Sequence, residues 1–124
     1  STAQDYFTFA QMMLNGGEIN GVRILGRKTV EYMTTNHLPK HLMPFQNSSP
    51  GEGFALAMSV MVDPDMSGFM SSKGNFGWGG MASTYFRVDP VEKIVMISMT
   101  QFIPSGFHRY SNEFRNVVYQ ALVD

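Results

Sequence analysis

The chain has 124 residues, a formal net charge of −1, 44% hydrophobic and 15% charged residues, and no cysteine. That length and apolar content suit one domain, 1–124, with a single core. The charge balance offers no basic field to nucleic acid or to an anionic membrane surface. Without cysteine there are no disulfides, no thiol catalysis and no thiolate metal ligands. No apolar run approaches the roughly eighteen residues of a membrane-spanning helix.

The polar opening STAQDYF reads as a helix start, not a secretory leader. Ser1 or Thr2 can cap a helix whose apolar positions Tyr6, Phe9, Ala10, Met13 and Leu14 recur every three or four residues, and Asn15-Gly16-Gly17 supplies a left-handed stop. A loop containing Asn20-Gly21 follows, then a short helix from about Arg27 to Thr35 with Val30 and Met33 inward. Residues 36–53 hold three prolines and are expected to be irregular. His37 and His41 stand at the spacing of helical metal ligands, but Pro39 between them opposes a regular helix, so no metal site is assigned. Asn47-Ser48-Ser49 matches a glycosylation sequon formally, a pattern that recurs by chance.

The period then changes to two. In GFALAMSVMVD, Phe54, Leu56, Met58, Val60 and Val62 alternate with smaller residues, the pattern of one half-buried strand. After a loop over residues 64–74, a second strand starts near Phe76 and runs, bent by its glycines, through Tyr85 and Phe86 to Val88. Residues 89–93 connect to a third strand, IVMISMT, apolar on both faces and so well covered. The last segment places Phe114, Val117, Val118, Ala121 and Leu122 on one stripe of a helix that would cover the sheet. The expected fold is α+β, a three-stranded antiparallel sheet flanked by N-terminal and C-terminal helices. Of the eleven methionines, Met12, Met13, Met33, Met58, Met96 and Met99 sit among apolar neighbours and read as core filler in preference to a soft-metal site.

GNFGWGGMASTYFRVDP (Gly74–Pro90) sets the only tryptophan among glycines at a strand start. Glycine weakens a strand, and its presence marks a bulge, a bend or a close backbone approach. With STAQDYFTFAQMMLNGGEINGVRIL, VMISMTQ and EFRNVVYQAL, this stretch resembles the serine β-lactamase-like hydrolases: class C β-lactamases, DD-peptidases and related esterases. The resemblance covers nearly the whole chain. It implies that Trp78-Gly79-Gly80 stands where the family carries its third motif, with Trp78 as an apolar wall where a lactamase places a cation. It also implies that the Met81 backbone N–H is one of two donors to the oxyanion. Fixed amide dipoles stabilise a tetrahedral oxyanion, one donor being worth about 3 to 4 kcal/mol. An indole cannot pair with a substrate carboxylate, so the pattern leans toward ester or short-acyl hydrolysis over β-lactam turnover.

The rest of the family's machinery is not legible. No serine has a lysine three residues later, and no Gly-x-Ser-x-Gly elbow exists. Tyr110-Ser111-Asn112 spells the family's Tyr-x-Asn motif but follows Trp-Gly-Gly where the family's precedes it, and Ser111 or Asn112 reads more simply as a helix cap. The expectation is therefore a C-terminal portion of a longer hydrolase, inert alone, acting on a small-molecule acyl substrate in the full-length protein without a cofactor. Its partners would be the missing N-terminal part of the same fold and, through the exposed sheet edge, further copies of itself. The alternative is a non-enzymatic module that binds an extended peptide along the glycine-rich strand edge, with Trp78, Phe76 and Tyr85 as its pocket.

Overall fold

Thr2 caps the first helix, α1 (Ala3–Leu14), its hydroxyl accepting from the Asp5 N–H at 3.1 Å. The computed structural model describes residues 1–46 and 48–123; the Asn47 sequon lies outside the described residues. The predicted stop is in place: Gly16 and Gly17 take φ of 69° and 100°, and the Gly17 N–H closes on the Met12 carbonyl at 2.8 Å. A two-stranded ribbon, β1 (Glu18–Ile19) and β2 (Val22–Arg23), turns at Asn20-Gly21 and leads into α2 (Arg27–Met33). Short 3₁₀ turns at Lys40–Leu42 and Pro64–Met66 punctuate the loops. Among the described residues no helix is long and apolar enough to cross a membrane.

Among the described residues the main sheet has five strands, not the expected three. They are β3 (Glu52–Phe54), β4 (Ser59–Met61), β5 (Phe76–Gly79), β6 (Tyr85–Asp89) and β7 (Ile94–Ser98), an antiparallel meander in sequence order. Each of the first two predicted strands folds back on itself. The first breaks at Ala55–Met58, where the Ala55 N–H meets the Met58 carbonyl at 2.8 Å and Ala57 takes φ 63°. The second breaks at Gly80–Thr84, where Ser83 takes φ 63°. Both left-handed positions are held by residues other than glycine, so the sequence shows a bend at Gly79-Gly80 at most and no full reversal at either place. Leu56, expected inward, stands at the first turn and is exposed.

The two faces of the sheet bury different chemistry. Val60, Phe76, Phe86 and Val88 pack with Met58, Ala10, Met12, Met13 and Val30 into the apolar core that α1 covers. Arg87 and Asp89, which alternate with Phe86 and Val88 on β6, and Glu52 of β3 are buried as well, on the side served by α3 (Tyr110–Gln120). That helix presents only part of its apolar stripe to the sheet, Phe114 meeting Tyr85 edge-to-face at 6.5 Å. Arg115 is its most buried residue, while Val117 and Leu122 are exposed. Its cap position is Arg109, without a side-chain cap bond, so Ser111 and Asn112 do not cap it. Most of the core methionines are buried as expected, but Met99 is exposed and Met33 only packs against the core.

Candidate active site

The Gly80–Thr84 connection is a three-residue hairpin loop, Met81-Ala82-Ser83, with its last residue left-handed. The Gly80 N–H donates to the Thr84 carbonyl at 2.9 Å, and the Ser83 N–H to the Gly80 carbonyl at 3.0 Å. A planar trans peptide holds its C=O and N–H in opposite directions. Because the Gly80 carbonyl turns into the loop to meet Ser83, the N–H of the same peptide unit, that of Met81, points out of it. It has no acceptor among the described residues.

A cleft of 390 Å³ opens beside this turn, and the structure brings Trp78, Gly79, Gly80 and Met81 together along it. Ser105, Gly106 and His108 from the β7–α3 loop, with Tyr110 and Ser111 from the start of α3, also line it. β4 pairs with β5 only at Phe76 and Gly77, so Trp78 and Gly79 have a strand partner on the β6 side alone. Trp78 is 39% exposed and meets Phe54 edge-to-face at 5.1 Å, and Phe45 packs on Phe54 at 4.3 Å. These three rings make a continuous apolar wall.

The glycines have an internal explanation that sequence reasoning did not supply. A Cβ at Gly77 would stand 2.1 Å from the Phe86 carbonyl oxygen, and one at Gly80 would stand 2.2 Å from Thr84 Oγ1. The first clash is with backbone and holds position 77 to glycine; the second is with a side-chain hydroxyl that a rotamer change of Thr84 would move. At Gly79 a Cβ would stand 3.3 Å from the Thr84 carbonyl oxygen, a tight contact to which that backbone would have to yield.

A second cleft of 340 Å³ meets the first at Trp78 and Gly79 and runs to Glu52, Arg87 and Arg115. Glu52 bonds Arg87 and lies 3.8 Å from Arg115 Nη1, and its other oxygen accepts from the Ser49 N–H at 3.2 Å. Arg87 also donates to Asn75 Oδ1 at 2.9 Å, and the Arg115 guanidinium stacks on Phe69, 3.6 Å from the ring centre. Burial lowers the Arg115 pKa from its ordinary value. Asn75 reaches Tyr119, whose hydroxyl donates to the fully buried Asp89. Burial, then that bond to Asp89, pushes the Tyr119 pKa up to about 12. Arg115 Nε and Nη1, Arg87 Nε and the hydroxyls of Tyr85 and Tyr110 are buried without acceptors among the described residues. The floor of this region thus offers donors in excess of acceptors. The in-phase Arg87 and Asp89 on a strand were the one sequence signal for it.

Among the described residues neither lysine nor carboxylate lines the first cleft, and His108 is its one imidazole. The Tyr110-Ser111-Asn112 triplet does reach the site, with Tyr110 and Ser111 on its rim, while the Asn112 side chain accepts from Arg115 at 3.2 Å. His37, by contrast, stacks on Tyr32 and bonds its carbonyl at 2.8 Å, and no cluster of metal-ligating side chains occurs among the described residues.

Residues 1–120 match the family model described as Beta-lactamase. Two curated proteins of Mycobacterium tuberculosis are each 32% identical over 111 residues. They are uncharacterized protein MT1414 of strain CDC 1551 and protein Rv1367c of strain H37Rv, and the match covers 84% of this chain and 28% of theirs. Among solved structures, EstCE1, described as a hydrolase with promiscuous acyltransferase activity, superposes with a TM-score of 0.81 at 23% identity, over 96% of this chain and 30% of EstCE1. A mutant of simvastatin synthase (LovD) from Aspergillus terreus gives 0.75 at 18% identity, over 97% and 33%. The structural likeness speaks to the fold alone, and the chain spans less than a third of the length of the curated relatives it matches.

Proposed function

The chain belongs to the beta-lactamase family, whose members include serine hydrolases, and on that premise we propose that it is the C-terminal part of such a hydrolase. In this reading the whole protein cleaves an ester or amide through an acyl-serine intermediate. β5 forms one wall of the acyl cleft, and Met81 N–H is one of two oxyanion donors. The observation that carries the proposal is that amide: outward-pointing, without an acceptor among the described residues, at the turn after Trp78-Gly79-Gly80 and beside a cleft. A serine nucleophile and its base would come from the remaining length of the protein, which agrees with a match spanning 28% of each curated relative.

Trp78, Phe54 and Phe45 suit an apolar acyl or alcohol group in place of a carboxylate, so esters are the preferred class over penicillins. Family membership favours this reading over a non-enzymatic peptide-binding module. The outer edge of β7 has no strand partner among the described residues; there the rest of the same fold would dock, and without it copies of the chain would associate.

The test is a fluorophosphonate probe, which forms a covalent bond only with an activated serine. It should label the full-length protein and leave the 124-residue chain unlabelled. Labelling of the short chain at the same rate, or no labelling and no ester hydrolysis by the full-length protein, would defeat the proposal.

A further inference from the structure

The Met81 amide is aimed by something, and the hydrogen bonds around it form a short relay. Its peptide unit is held by the Ser83 N–H, which donates to the Gly80 carbonyl. The Ser83 N–H belongs to the Ala82–Ser83 peptide, whose own carbonyl points the opposite way. That Ala82 carbonyl accepts from Thr100 Oγ1 at 2.6 Å and from the Phe102 N–H at 3.1 Å. The same segment is clamped once more, because Ser83 Oγ donates to the Phe102 carbonyl at 2.7 Å.

Two rigid peptide planes in series therefore connect the Thr100 hydroxyl to the Met81 N–H. Thr100 fixes the Ala82 carbonyl, that plane fixes the Ser83 N–H, and the Ser83 N–H fixes the Gly80 carbonyl opposite the Met81 amide. Each bond polarises the next in the same sense, toward a more positive amide hydrogen. Loop positions without such ties sample several orientations, and an amide that must meet a developing charge works only when its direction is settled beforehand.

We propose that Thr100 and Ser83 are positioning residues for the Met81 amide, locking the hairpin loop to the segment after β7 so that the donor is aimed before substrate arrives. Neither hydroxyl touches the reacting atoms; both act through the backbone. The inference rests on the oxyanion reading of Met81 for its functional meaning, but the lock itself is a property of this chain.

The first measurement uses the 124-residue chain. In ¹⁵N relaxation, the Met81 amide order parameter is expected near the rigid-backbone value of about 0.85 and should fall toward 0.6 in Thr100→Val and in Ser83→Ala. Thr100→Ser, which keeps the hydroxyl, should restore it. An unchanged order parameter in both variants overturns the lock. The second measurement uses the full-length hydrolase and an ester substrate. Thr100→Val should lower kcat about 10-fold to 100-fold, less than the 10²- to 10³-fold typical for loss of a donor, with KM within about twofold and rescue by Thr100→Ser.

Met81→Pro separates the two ideas, since it deletes the N–H at a turn position that accepts proline. If Met81→Pro leaves kcat intact, the oxyanion reading falls and takes the functional half of the inference with it. If Met81→Pro abolishes turnover but Thr100→Val matches the unaltered enzyme, the reading stands and the inference alone is refuted.

Discussion

Glu52 is the hinge of the charged layer beneath α3, and its replacement by leucine tests the account of that layer most severely. The carboxylate is 3% exposed and bonds Arg87, itself 5% exposed; Arg115, 1% exposed, lies 3.8 Å from it. Glu52→Leu leaves both guanidinium groups buried without their carboxylate and strips the Ser49 N–H of its acceptor. Removing one partner from a buried ion pair costs about 3–5 kcal/mol, because the remaining charge cannot regain its hydration. Against the 5–15 kcal/mol that typically holds a domain together, that is a large fraction. With a urea m-value of about 2 kcal/mol/M, the unfolding midpoint should drop by about 2 M. A triple variant, Glu52→Leu with Arg87→Met and Arg115→Met, removes the orphaned charges and should recover at least half of the loss. A midpoint for Glu52→Leu within 0.3 M of the unaltered chain, roughly 0.6 kcal/mol on that slope, would show that water reaches the guanidiniums and that the layer is not a buried one.

The Tyr119 hydroxyl is protonated in the fold beyond its ordinary value of 10, up to about 12. The folded state therefore holds a proton that the unfolded state releases. The contribution of this hydroxyl should be constant below pH 10 and be lost as pH rises toward 12, so that stability falls less steeply over that window in Tyr119→Phe, as read by urea unfolding at each pH. Gly77→Ala sets a methyl 2.1 Å from the Phe86 carbonyl oxygen and should cost about 1–3 kcal/mol by thermal unfolding. Ala57→Gly relieves a left-handed alanine at the β3–β4 turn and should raise stability by about 0.5–1 kcal/mol; a loss would show that the turn is not strained. For the oligomeric state, light scattering of the isolated chain should give a dimer or larger, and a clean monomer at high concentration would remove the exposed-edge argument.

Local signals in the sequence were enough for the helices and for the family. α1 carries its cap, its three-four spacing and its glycine stop within seventeen residues, so it can be read without its partners, although its stability rests on the core it covers. The Trp78-Gly79-Gly80 stretch is likewise a contiguous string, legible without its tertiary surroundings. The strand count was not legible, because alternation runs unbroken through FALAMSV and the left-handed turn positions are Ala57 and Ser83 in place of glycine.

The α3 stripe misled for a related reason. Its apolar residues describe a helix face, but how that face is turned was decided by Glu52 and Phe69, two partners distant in sequence that draw Arg115 inward. The direction of the Met81 amide has the same origin. It follows from two peptide planes tied to Thr100 and Phe102, about twenty residues away. Periodicity and caps are short-range properties that a chain carries in its own order. The pairing of a buried charge and the aim of a single N–H depend on groups that only folding brings within hydrogen-bonding distance.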